Sequence, residues 1–197
     1  MKKILCVLLT LSIAFLASSC SSGKDAQALE PSADGAKAAL CEFNIDDFKK
    51  YASSETLNEI EKQIETYPQI EILSKAIFKN LEIEVKSAKL NDKTGKGTAV
   101  LKIKNKDLKQ LASDYITSMV SDYLLGKVDL KDEAFLNEQI EILSTQIEDA
   151  PDGEWQKVKV NTKKGSDGVW RILFNDEAEN AVMGGAAASI KGITKLS

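Results

Sequence analysis

The chain has 197 residues, with 26 basic and 30 acidic side chains, three cysteines, no histidine and a formal net charge of −4. The lack of histidine removes the commonest general base, the Ser–His and Cys–His nucleophile pairs and the commonest zinc ligand, and with them most hydrolase and zinc-enzyme classes. The acidic balance argues against a large basic surface for nucleic acid.

The first twenty residues, MKKILCVLLTLSIAFLASSC, open on Lys2 and Lys3, pass through an apolar run from Ile4 to Leu16 and end in small residues before Cys20. That order is an export signal. The run covers 13 residues, short of the ~20 that cross a bilayer as a helix, so it is a poor permanent anchor. The ending LASSC resembles the bacterial lipoprotein signal, in which the cysteine after three small or apolar residues is lipidated and becomes the first mature residue. The alternative is ordinary secretion with cleavage near Ser19. The resemblance implies two or three acyl chains on Cys20, which hold a protein on a membrane where a single chain is marginal. Residues 1–19 are then the signal, and the location is the bacterial cell membrane or outer membrane. Ser21, where aspartate would favour inner-membrane retention, leaves the outer membrane open.

Loss of Lys2 and Lys3 takes the basic count from 26 to 24 against 30 acidic residues, a mature net charge of −6. Cys6 leaves with the signal and Cys20 is acylated, so no intramolecular disulfide can form; Cys41, in AALCEF, reads as a small core residue. From residue 20 to 35 the composition is small and polar, with Pro31 and no apolar period, which predicts a flexible tether.

An α+β domain is expected over 36–175. The first helix is predicted from Ala36 to Ala52, with Leu40, Phe43, Phe48 and Tyr51 on one face. A second follows a cap in SETLNE and is kinked or divided at Pro68 before Ile70, Leu73 and Ile77 resume the stripe. The period then changes: Leu81, Ile83 and Val85 alternate with charged residues, the turn NDKTGKG follows, and Ala99, Leu101 and Ile103 alternate on the return. Helical spacing returns at Leu108, Leu111, Ala112, Tyr115 and Met119, with Gly126 as terminator, and again at Leu136, Ile140, Leu143 and Ile147 before Pro151. A second hairpin carries Val158 and Val160, then Trp170, Ile172 and Phe174. Strict alternation sets Trp155 on the outer face unless a bulge turns it inward. Residues 176–197 are either a helix that docks on the domain or a partner, or a tail.

QIEILS occurs at Gln69–Ser74 and again at Gln139–Ser144. At this offset of 70 the chain matches itself at 13 of 37 positions from Gln69 to Asn105, and DFKKYAS at Asp47 matches DLKQLAS at Asp107 at an offset of 60, so that the second copy holds ten extra residues between its helices. An internal helix-helix-strand-strand repeat is the preferred reading over chance convergence of Lys/Glu/Ile helices. Two hairpins join into a curved four-stranded antiparallel sheet with helices on its apolar face. The order from ALCEFNIDDFKKYAS through AVLKIKNKDLKQLAS to GVWRILFN resembles a group of uncharacterised bacterial lipoproteins. That resemblance implies a domain related to the nuclear transport factor two-like and cystatin-like folds, whose members include enzymes and many non-catalytic binding modules.

The carboxylates offer little chemistry. Glu82 and Glu84 share a strand face but read as solvated with lysines opposite. NDEAEN at Asn175–Asn180 lacks the spacing of a calcium loop and reads as a helix cap. Every acidic residue falls at a predicted surface or cap position, so catalysis by an Asp or Glu acid–base is the least favoured function, and no catalytic residue, metal or cofactor is expected. The leading expectation is a non-catalytic, lipid-anchored binding or structural module with an envelope protein partner and no nucleic acid. The alternative is capture of a small apolar ligand between sheet and helices, with Tyr115, Tyr123, Trp155 and Phe174 as candidate lining residues.

Overall fold

The computed structural model describes residues 23–64, 67–129 and 132–189. The export signal, Cys20 and the segment with Ile190 and Ile193 lie outside the described residues. Helix α1 runs Lys24–Glu42 and corrects the expectation of a flexible tether over 20–35. Ala26, Leu29, Ala33, Ala36 and Leu40 are buried at helical spacing, and Leu29 has no exposed surface. Alanine makes up most of that stripe, so its hydrophobic period is faint, while Pro31 and Gly35 look like linker residues. Gly35 is required by packing: a Cβ there would meet the Tyr51 ring at 2.6 Å.

The single helix expected over 36–52 is two. Helix α1 ends at Phe43, which adopts a left-handed φ of 54° with its ring stacked on Phe78 at 6.2 Å. Asn44 then caps α2 (Ile45–Tyr51), its side-chain oxygen accepting from the Asp47 N–H at 3.0 Å. A two-residue strand, β1 (Ala52–Ser53), follows directly. Ser54 caps α3 (Glu55–Ile64) by accepting from the Leu57 N–H, and α4 (Gln69–Phe78) restarts after Pro68, so the helix is divided there.

Hairpin β2 (Glu82–Asn91) and β3 (Lys96–Lys104) turns through Gly95 at φ 63°. Next come α5 (Lys109–Leu124) and α6 (Glu133–Asp149), the latter capped by Asp132, then β4 (Gln156–Lys164) and β5 (Trp170–Leu173). Asn175 caps α7 (Asp176–Val182), as the capping reading of NDEAEN expects.

The class is α+β, but the sheet has five strands in the order β1-β5-β4-β3-β2, open and mixed, where four antiparallel strands were expected. The extra strand is β1, which pairs parallel to β5 through Ala52↔Ile172 and Ser53↔Leu173. The remaining pairings are antiparallel. Alternation sets Ile83, Ala99, Leu101, Ile103, Val158, Val160, Trp170 and Ile172 on the buried face, against which α1 packs. A register shift between Val85 and Ser87 re-aims β2, so that Ala88 and Leu90 carry the inner face beyond it.

The chain after β5 docks. Ala178, Ala181, Val182, Met183, Ala186 and Ala187 are buried in the common core, and Asn105 Nδ2 donates to the carbonyls of Ile77 and Val182. The two QIEILS segments lie in α4 and α6, which pack side by side. Gln69 donates to Asn137 at one end of the pair and Lys79 to Glu148 at the other, so the helices run in the same direction.

Candidate apolar binding site

Helix α5 contains no buried residue although it carries the apolar stripe Leu111, Ala112, Tyr115, Ile116 and Met119. Instead of sealing against the body, that stripe roofs a cavity of about 220 Å³. Its floor is Leu73 and Ile77 of α4 with Leu143 and Ile147 of α6, and Leu108 and Ala186 close one end. Every lining residue is apolar except for the tyrosine hydroxyl. The turn after α7 holds this end together: Leu108 N–H donates to the Gly184 carbonyl at 2.8 Å, and Gly184, at φ 60°, sits so close that a Cβ would meet the Lys106 oxygen at 2.0 Å.

Leu111 and Tyr115 also line a second hollow of about 410 Å³ farther along α5, so the two adjoin. The character changes there, with Asp114, Asp122, Gln139 and Gln146 joining Met119, Val128 and Phe135. Tyr115 stands at the junction, and burial pushes its phenol above the ordinary value, keeping it a neutral hydrogen-bond donor at physiological pH. Beyond it, Val120, Tyr123, Leu124 and Leu125 leave an apolar end to the helix, with Leu124 76% exposed.

The four aromatic residues expected to line one pocket do not converge. Tyr115 lines the cavity; Tyr123 is 56% exposed past its open end. Trp155 lies on the opposite, outer face of the sheet beneath the Lys102 ammonium, 4.3 Å from the ring centroid. Phe174 is buried core, edge-on to Phe48 at 5.7 Å. The site also lies elsewhere than expected, among α4, α5 and α6, with no strand residue in its wall. Leu111, Ala112, Leu143 and Ile147 were recognisable as helical stripes, but nothing in their spacing marks a stripe that roofs a void instead of closing it.

One carboxylate departs from the expectation that all acidic residues are surface or cap groups. Glu179 is 5% exposed and accepts from the Ser54 hydroxyl at 2.6 Å, the Thr56 N–H at 3.2 Å and the Thr56 hydroxyl. Its oxygens tie α7 to the start of α3. Elsewhere the solvated-face reading holds: Glu82 pairs with Lys104 and Glu84 with Lys102 across the hairpin, and Arg171 grips Asp167.

No family model matches this chain, and no curated protein does. Among solved structures it is similar to a putative lipoprotein (ycdA) from Bacillus subtilis, at 17% identity and a TM-score of 0.47. The match covers 80% of this chain and 56% of that one, so this chain spans little more than half the length of the protein it is compared with.

Burial pushes the Cys41 thiol up, and its Sγ donates to the Phe78 carbonyl at 3.2 Å. A protonated, hydrogen-bonded thiol is a poor nucleophile, consistent with Cys41 as packing. Among the described residues no cluster of three or more Cys, Asp or Glu is placed to hold a metal.

Proposed function

We propose that this chain is a lipid-anchored bacterial envelope protein acting as a non-catalytic binding module, and that its binding element is the cavity beneath α5. The observation that carries this reading is a half-open cavity of about 220 Å³ walled by apolar side chains and adjoining a mixed polar hollow. A dry cavity of ~150 Å³ lined by Leu, Ile and Phe takes up benzene, so the space suits an aromatic ring or a short alkyl segment. The adjoining Asp114, Asp122, Gln139 and Gln146 suit a polar end, which makes the fitting ligand a small amphiphile.

The anchoring half of the proposal rests on LASSC and Cys20. The non-catalytic half is supported by a histidine-free sequence and by the engagement of the buried Glu179 with hydroxyl and amide donors. A long helix lying across a largely antiparallel sheet supports the assignment to the nuclear transport factor two-like and cystatin-like folds. The exposed apolar end of α5 favours a second reading, contact with an envelope protein.

Native mass spectrometry of the chain from residue 20 with Cys20→Ala, repurified after incubation with an extract of bacterial membranes, tests the binding element. The expected result is an added mass that vanishes on denaturation and is absent from Ala112→Phe, which fills the cavity. A clean protein mass in both proteins, even after addition of an apolar probe, counts against it.

A further inference from the structure

The sheet separates charge in a way the total does not reveal. Its outer face carries Lys86, Lys89, Lys96, Lys157, Lys159 and Lys163, and none of these makes an ion pair among the described residues. The acidic residues of the same face, Glu82 and Glu84, are already matched by Lys104 and Lys102. Like charges even stand in register: Lys96 opposite Lys163, Lys163 opposite Arg171, and Lys102 opposite Lys157. Such pairs oppose folding. Lys157 beside Lys86 pulls that ammonium below its ordinary value. A chain with more acidic than basic residues thus sets six lysines without ion pairs together on one open surface.

The start of α1 fixes which end of this surface lies near the anchor. Asp25 accepts from the Leu90 N–H at 2.9 Å, so the first turn of α1 sits beside the β2–β3 turn. Leu90 is in register with Gly97, which places Lys89 and Lys96 at the same end, with Lys93 on the turn between them. Ser21, Ser22 and Gly23 are the residues between Cys20 and Lys24. Fully extended, that connection reaches roughly 14 Å. The connection therefore keeps the β2–β3 turn end on the anchor side of the domain, where a charged bilayer attracts lysines over a Debye length of about 8 Å at physiological salt.

We propose that the outer sheet face, at its β2–β3 turn end, docks on the anionic phospholipid head groups of the membrane that carries the anchor. This rests on the lipid-anchor reading, and it assigns the free lysines a counter-charge. The acyl chains supply attachment, and Lys89, Lys96 and Lys163 supply orientation, holding the domain close against the head groups.

The core is made by residues from Ala26 to Ala187, so a chain from residue 20 keeps all of it. That chain, with Cys20→Ala, is mixed with vesicles of phosphatidylcholine alone or with phosphatidylglycerol, at low and high salt. The proposal predicts sedimentation with the phosphatidylglycerol vesicles only, release by salt, and roughly tenfold or greater weakening in K89E/K96E/K163E. The control K62E/K109E, away from this face, binds as the parent does. If the triple variant loses its fold by circular dichroism, K89Q/K96Q/K163Q replaces it, with weakening still expected. Absence of phosphatidylglycerol-dependent binding, equal binding by the triple variant, or retention on DNA without retention on vesicles overturns the proposal. Acyl labelling of the full chain against Cys20→Ala tests the anchor separately, so loss of either idea is visible by itself.

Discussion

Ser54 and Glu179, 125 positions apart in the chain, share a buried hydrogen bond of 2.6 Å from hydroxyl to carboxylate. Ser54 simultaneously caps α3 by accepting from the Leu57 N–H at 3.1 Å. Glu179→Ala strands the hydroxyls of Ser54 and Thr56 and the Thr56 N–H, so a loss of about 2–3 kcal/mol is expected in urea unfolding. Ser54→Ala removes a cap and one of several donors, and about 1 kcal/mol is expected. Glu179→Ala within about 0.5 kcal/mol of the parent, the range of a neutral surface change, would show that the contact does not hold α7 to α3.

Helix α1 makes a second prediction, because a tether and a core helix respond oppositely to truncation. Leu29→Ala should cost about 2–5 kcal/mol, since the side chain is fully buried among core residues. Equality with the parent in thermal or urea unfolding would restore the tether.

The contrast between α1 and the hairpins shows what could be read in advance. Strands β2 to β5 announce themselves because Ile83, Leu101, Val158 and Ile172 alternate with lysines and glutamates, and a half-buried strand needs only that period. Helix α1 buries Ala26, Ala33, Ala36 and Ala39, whose small side chains leave almost no hydrophobic signal. Strand β1 is two residues long and exists through pairing with Ile172 and Leu173, a tertiary fact with no local signature. Glu179 was hidden for the same reason, since its partners Ser54 and Thr56 are far away in sequence. The four aromatic candidates share only their aromatic character: Tyr115 lies among helices, Trp155 sits on the outer sheet face where strict alternation sets it, and Phe174 lies in the core.

Gly184 makes the docked C-terminal turn testable. Its left-handed φ of 60° and the 2.0 Å approach of the Lys106 oxygen to any added Cβ leave no room for a side chain. Gly184→Ala should destabilise the protein by more than ~1 kcal/mol. It should also speed amide exchange at Leu108, whose N–H is held by the Gly184 carbonyl. Parent-like exchange at Leu108 would place that turn differently.

Cys41 supplies a pH dependence. Burial raises its thiol above the ordinary value, so less thiolate is present at a given pH than in a free cysteine, and reaction accelerates only on further alkalinisation. The same sign holds for stability: the contribution of the protonated thiol is complete below the unfolded pKa and is lost as pH rises through the higher folded one. Alkylation by iodoacetamide near pH 8 should therefore be slower in the native protein than in urea. Equal rates would mean an exposed, unperturbed thiol.

Titration with the apolar fluorophore N-phenyl-1-naphthylamine probes the cavity beneath α5. A saturable fluorescence rise is expected in the chain carrying Cys20→Ala, with weakening by roughly tenfold or more in Ala112→Phe and no loss of thermal stability. No saturable rise, or a curve that Ala112→Phe leaves unchanged, would contradict a ligand site under α5.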